Sequence, residues 1–171
     1  MNNLSGTTIG DSEFLQFVRE QQLVFGIDRH TICFEITETA AIANLAKAKT
    51  FIQELKGCGY RFALDDFGAG MSSFSYLKHL PVDFIKIDGS FVSDMLNSPT
   101  DHAMVEAINK IGHLMGKKTI AEFAANEQII ARLAEMGVDF AQGYGIGKPQ
   151  PFIPWIDAER PLATCARILH A

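Results

Sequence analysis

Five short runs rich in β-branched and aromatic residues recur along the chain: Thr31–Thr37, Tyr60–Leu64, Val82–Ile87, Lys118–Ala121 and Val138–Ala141. Each reads as a strand, and each ends at or near a charged or amide residue. Apolar positions of helical period lie between them, at Ile42, Leu45, Ile52 and Leu55, then Met104, Val105, Ile108, Ile111 and Met115, then Ile129, Ile130, Leu133 and Met136. Gly57 and Gly59, Gly116 and Gly137 stand where helix C-terminal caps belong. An earlier helix is predicted from about Ser12 to Gln22, with Phe14, Leu15, Phe17 and Val18 as its apolar stripe and Asp11 or Ser12 as its N-cap.

Strands that alternate with helices pair in parallel through right-handed crossovers, so the chain is of the α/β class. The polar residues then separate a barrel from an open sheet. Glu35, Asp65, Asp66, Lys86, Glu122 and Gln142 fall one after another at the C-terminal ends of successive strands. A barrel builds its site in that way, each strand delivering a group or two to a shared mouth. An open sheet would concentrate its chemistry at one switch point, usually with a glycine-rich phosphate loop, and the chain has neither GxGxxG nor a P-loop. The expectation is a TIM-like (β/α) barrel.

Composition narrows the function. The 171 residues suit one domain, and an apolar fraction of 47% is enough for a core. We expect a single domain over 1–171, with the barrel portion at 1–150 and a C-terminal loop and helix at 151–171. A net charge of −5 argues against a nucleic-acid polymer, which would require a basic stripe. Cys33, Cys58 and Cys165 are widely spaced and read as reduced small hydrophobes. No apolar run is long enough to span a membrane. A cytoplasmic domain is expected.

The carboxylates carry the chemistry. A strand-end glutamate, an Asp-Asp pair and another strand-end glutamate at one mouth would repel one another unless divalent cations compensate them. Adjacent aspartates suit a pair of metals, since one can bridge while its neighbour binds a single ion. Metals about 3.5–4 Å apart stabilise the attacking and leaving oxygens of a phosphoryl displacement. Lys86, on a run of apolar neighbours, adds a fixed cation that could orient a water or offset charge developing on phosphorus.

These residues resemble the EAL domain family. Phe34-Glu35-Ile36-Thr37-Glu38 is similar to its E-x-T-E motif, and Asp65-Asp66-Phe67-Gly68-Ala69-Gly70 to its DDFG-x-G loop, continued by Ser72-Ser73-Phe74-Ser75-Tyr76-Leu77. Lys86-Ile87-Asp88, Ala121-Glu122, and Gln142-Gly143-Tyr144 with Pro149 resemble its later strand ends, and Asn3-Leu4-Ser5 an earlier one. The resemblance implies hydrolysis of cyclic di-GMP to linear pGpG with Mg²⁺ or Mn²⁺. It implies Asn3, Glu35, Asp65, Asp66 and Glu122 as metal ligands, and Lys86 with Glu122 as catalytic groups. Gln142 would support the site and Glu38 would brace the loop after Asp66, a loop the family also uses at its dimer contact.

Two departures bear on activity. The Glu-Ala-Leu that names the family, whose glutamate binds metal, is absent. A family barrel has about eight strands, whereas this chain is expected to supply five and the tip of a sixth. Where the family usually has a second glutamate after Glu122, this chain has Ala125. The expectations are therefore an incomplete barrel with impaired turnover and a two-metal site that is empty or incomplete. They also include a homodimer or strand-exchanged oligomer, and a longer parent chain with sensory or GGDEF-type domains, its membrane anchoring left open. The alternative is a degenerate receptor that binds cyclic di-GMP without cutting it; a non-catalytic interaction module is a third reading.

The remaining polar residues read as structural. Asp83 and Asp88 support the fold, and Asn109 and Lys110 belong to a solvated helix face. His30, His79, His102, His113 and His170 lack metal-binding spacing. Trp155 and the prolines Pro149, Pro151, Pro154 and Pro161 form a C-terminal loop.

Overall fold

The computed structural model describes residues 2–70 and 74–149, with the backbone of Arg167–Ile168. The chain divides into two compact units, Met1–Lys86 with Leu114–Lys117, and Ile87–His113 with Lys118–Ala171.

The first unit contains β1 (Asn2–Leu4), α1 (Ser12–Phe25), β2 (Cys33–Thr37), α2 (Glu38–Ala43), α3 (Leu45–Gly57), β3 (Arg61–Phe67) and the start of β4 (Phe84–Ile87). Strands β1, β2 and β3 pair in parallel, with Asn3 opposite Glu35, Glu35 opposite Ala63 and Thr37 opposite Asp65. Successive side chains of a strand point to opposite faces. Phe34, Ile36, Phe62 and Leu64 therefore share one face. Phe14 of α1 and Phe51 of α3 meet it there, with ring centroids 6.3 Å apart for both Phe14–Phe34 and Phe51–Phe62. Asn3, Glu35, Ala63 and Asp65 occupy the opposite face. The helix-covered face is held by apolar burial, so the charged face is the one left for chemistry.

Local signals set the element ends. Asp11 caps α1 by accepting from Glu13 N–H at 2.9 Å, and Asn44 caps α3 by accepting from Lys47 N–H at 3.0 Å. Helix α1 runs three residues beyond the expected Gln22 and stops at Gly26, whose φ of 60° is the left-handed conformation of a C-terminal cap. The expected strand Thr31–Thr37 starts later, because Asp28 nucleates a 3-10 turn over Arg29–Thr31.

The second unit contains α4 (Gly89–Asp94), α5 (Pro99–Leu114), β5 (Lys118–Ala121), α6 (Glu127–Glu135), β6 (Phe140–Ala141) and β7 (Arg167–Ile168). Strands β5 and β6 are parallel, and β7 joins β6 antiparallel. The pair Arg167–Ile168 is thus a strand inside a segment expected to be loop and helix. The rest of 151–171, with Trp155 and Pro151, Pro154 and Pro161, lies outside the described residues, as do Cys165 and His170.

Each unit uses the same latch. Asp83 and Asp139 occupy identical Val-Asp-Phe tripeptides just before β4 and at the entrance to β6. Asp83 accepts from Phe62 N–H at 2.9 Å, in β3, and pairs with Lys56 at the end of α3. Asp139 accepts from Thr119 N–H at 2.9 Å, in β5, and lies 2.7 Å from His113 Nε2 at the end of α5. A carboxylate thus satisfies a strand-entry amide while pairing with a basic side chain at the helix end, Lys56 in one unit and His113 in the other.

Asn109 corrects the sequence reading. It is buried, with Nδ2 donating to Met136 O at 2.9 Å and Oδ1 accepting from the Thr119 hydroxyl. A polar side chain there ties α5 to β5 and to the end of α6, so it interrupts the solvated face for a packing reason. Lys117, also buried, donates to the carbonyls of Leu80 at 2.7 Å and Val82 at 3.1 Å. Burial lowers its pKa from the usual lysine value, the nearby Lys56 adding to the effect.

Candidate active site

The first unit gathers three charged groups in its interior. Lys86, 3% exposed, reaches from β4 to Asp65 at the end of β3, donating to Oδ1 at 2.6 Å. Its Nζ also lies 3.1 Å from Glu35 Oε1 on β2. Glu35 and Asp65 are 5% and 8% exposed, so water does little to screen the three charges. One cation faces two carboxylates. The Glu35 oxygen is near Lys86 but outside hydrogen-bonding direction: among the described residues Oε1 is inaccessible to water and has no hydrogen-bond partner. A buried acceptor of that kind is costly unless something else occupies it.

Asp66 follows directly and brings a carboxylate oxygen within 4.8 Å of one on Asp65. Its backbone is left-handed, φ 54°, which aspartate tolerates better than most residues. That kink lets two successive aspartates present carboxylates to one place instead of to opposite faces of the strand. The turn continues with Ala69 N–H donating to Asp66 O at 3.4 Å.

Glu38 holds this turn. It begins α2, after Thr37 has capped the helix by accepting from Ala40 N–H at 3.3 Å. Buried, it accepts from Gly68 N–H at 3.3 Å on one oxygen and from the Tyr76 hydroxyl on the other. Both sides of the segment 68–76 are thus tied to one carboxylate. Residues 71–73, including Ser72 and Ser73 of the loop motif, lie outside the described residues. Tyr76 is a partner the sequence reading did not assign; a buried glutamate that needs donors was the signal for it. Asn3 is exposed on β1 in register with Glu35, on the same face of the strands.

In the second unit Glu122 follows β5, half-buried, its N–H donating to Ile87 O at 3.2 Å. Gln142 follows β6 and is bound through its backbone, N–H to Ala121 O at 2.8 Å and C=O from Ala124 N–H at 3.0 Å. Gly145 N–H donates to Ala124 O at 2.9 Å, completing a lacing of the two strand-end loops. A Cβ on Gly143 would lie 2.4 Å from Ala124 N, and one on Gly145 2.7 Å from Asn126 N. The glycines around Tyr144 are there because two backbones meet, a requirement the sequence reading had not attached to them.

An open apolar groove of about 330 Å³ beside β1, lined by Phe14, Phe17, Phe25, Ile27, Phe34 and Tyr60 among others, carries no carboxylate and is unsuited to phosphate chemistry. No helix among the described residues is long and apolar enough to cross a membrane.

An α/β protein that ends its strands on acidic groups and a buried lysine offers oxygen donors suited to hard divalent cations. Comparison with known proteins gives the family. The EAL domain profile matches residues 2–149, and the chain belongs to that family, whose fold is a TIM-like (β/α) barrel. It is 43% identical over 155 residues to the cyclic di-GMP phosphodiesterase PdeB of Shewanella oneidensis, covering 91% of this chain and 18% of that protein. It is 40% identical over 149 residues to the cyclic di-GMP phosphodiesterase PdeA of Borreliella burgdorferi, covering 87% and 22%. Among solved structures, the PaMucR phosphodiesterase in complex with c-di-GMP superposes with a TM-score of 0.82 at 30% identity, over 87% of this chain and 60% of that one. The chain therefore spans about a fifth of the length of these curated relatives.

Proposed function

We propose that this chain hydrolyses one phosphodiester of cyclic di-GMP, releasing linear pGpG, with Mg²⁺ or Mn²⁺ held by Asn3, Glu35, Asp65, Asp66 and Glu122. The observation that carries the reading is the buried charge set of Glu35, Asp65 and Lys86, with one glutamate oxygen left without a hydrogen bond. Oxygen donors of this kind suit hard divalent cations, and the unsatisfied Oε1 is the type of atom such an ion would take up. Bound there, the metals would supply electrostatic stabilisation of the attacking water oxygen and the leaving ester oxygen.

The chain's own groups would do the rest. Lys86 Nζ donates to Asp65 Oδ1, and from there it would orient the attacking water and offset charge developing on phosphorus. Glu122 would share in ligation and act with Lys86 as a catalytic group. Glu38 keeps the Asp66 turn in place, and Gln142 supports the adjoining loop. The domain would work in the cytoplasm as a homodimer or strand-exchanged oligomer, within a longer chain bearing sensory or GGDEF-type domains, in keeping with the greater length of its relatives.

Ala125, where the family usually has a glutamate, favours a second reading, a receptor that binds cyclic di-GMP without cutting it. Incubation with cyclic di-GMP and Mn²⁺, following both ligand binding and pGpG by chromatography, separates the two. Release that disappears in D65N and E122Q is the expected result. Binding without release assigns the receptor role, and neither binding nor release defeats both.

A further inference from the structure

Among the described residues, two that are not glycine have a positive φ: Asp66, at 54°, and Phe123, at 52°. Aspartate visits the left-handed region readily; a phenylalanine there is an outlier with a steric cost. Such strain persists only where its surroundings impose it, and it gathers at functional sites. Phe123 directly follows Glu122, the strand-end carboxylate of the second unit. Its ring lies across Gly89, where a Cβ would meet Phe123 Cδ2 at 2.1 Å and Cγ at 2.4 Å. Gly89 begins α4 behind the cap Asp88, and the space it leaves, rather than any unusual φ, is what admits the ring. The ring nevertheless remains 64% exposed. The chain therefore strains its backbone and gives up a side chain at position 89 to hold an aromatic ring that it does not bury. Core packing explains neither cost.

We infer that Phe123 is a substrate-positioning residue, its open ring stacking on one guanine of the cyclic dinucleotide beside Glu122; this rests on the phosphodiesterase reading above. A ring seated on Gly89 is immobilised before binding, so little entropy is lost when a purine covers it. Every base has a π-face, and stacking on an aromatic side chain is substantial for each base stacked. The contact fixes the nucleoside and leaves the phosphate to the charged groups.

The test uses the full chain and a phosphorothioate analogue of cyclic di-GMP that resists hydrolysis, titrated in Mn²⁺, alongside thermal unfolding. F123G is expected to weaken binding about tenfold, the loss of one stacked base. Its unfolding midpoint should equal or exceed the wild type's, because glycine adopts the left-handed backbone without strain. F123W should bind within about threefold of wild type, since indole restores the stack. Two results overturn the inference alone: wild-type affinity in F123G, or binding and thermal midpoint falling together with no rescue in F123W. A wild-type chain that does not bind the analogue overturns the phosphodiesterase reading and this inference with it.

Discussion

Lys86→Met should be among the most destabilising single changes in the first unit, and divalent cation should partly reverse it. The side chain is 3% exposed and the two carboxylates it faces, Asp65 at 2.6 Å and Glu35 at 3.1 Å, are 8% and 5% exposed. Methionine fills a similar volume, so the effect is electrostatic rather than a cavity. What remains is two buried carboxylates facing each other without a cation. Removing one partner of a buried ion pair costs about 3–5 kcal/mol, a large share of the ~5–15 kcal/mol that a domain has in total. Urea titrations in EDTA would read this directly. With a slope of about 1–3 kcal/mol per M, the midpoint should fall by roughly 1–5 M or the protein should be unfolded at the outset. Repeating the titration in millimolar Mn²⁺ should narrow the gap, because an ion held, as proposed, by Asp65, Asp66 and Glu35 would return positive charge to the site. A variant within about 1 kcal/mol of wild type in EDTA, a surface-pair value, would refute the claim that these charges compensate one another. An equal deficit with and without Mn²⁺ would refute the metal part of the argument.

Three further outcomes are expected. Tyr76→Phe removes the hydroxyl that donates to buried Glu38 and should cost about 1–3 kcal/mol in chemical denaturation; no change would mean that Glu38 does not depend on it. Gly143→Ala places a Cβ 2.4 Å from Ala124 N and should lower stability by about 1–3 kcal/mol or more, whereas Gly57→Ala, with nothing within 4 Å at the end of α3, should be neutral or gain ~0.5–1 kcal/mol; thermal unfolding of both variants checks the contrast. For Asp139, burial raises the carboxyl's pKa, but the Thr119 amide and the His113 ring outweigh it and hold the pKa below its ordinary value of 3.8. A depressed carboxylate stabilises the fold above its unfolded pKa and loses that contribution as pH falls through the folded one, so Asp139→Asn should flatten the stability–pH curve below pH 3.8, and an unaltered acid limb would disprove it.

The strand β5, Lys118–Ala121, lies where its β-branched pair Thr119–Ile120 predicts, because the five residues between Gly116 and Glu122 leave little freedom in placing it. Glu35 and Asp65 were likewise legible: a charged residue at the end of an apolar run, repeated from strand to strand, is a local pattern, and period-two alternation settles its face. The partners of those residues were not local. Lys86 meets Asp65 across 21 positions and Tyr76 meets Glu38 across 38, separations over which no periodicity carries information.

Asn109 reads as solvated from its neighbours in the helix and is buried because β5 and the end of α6 come to it. Phe123 and Gly89 read as unrelated residues until a ring is found lying over the missing Cβ. Sequence by itself determined which groups stand at the strand ends, since those choices are written in short-range alternation of apolar and polar side chains. Tertiary structure alone decided which of them are buried together and which backbone is strained to hold them, because burial and strain depend on atoms brought from distant parts of the chain.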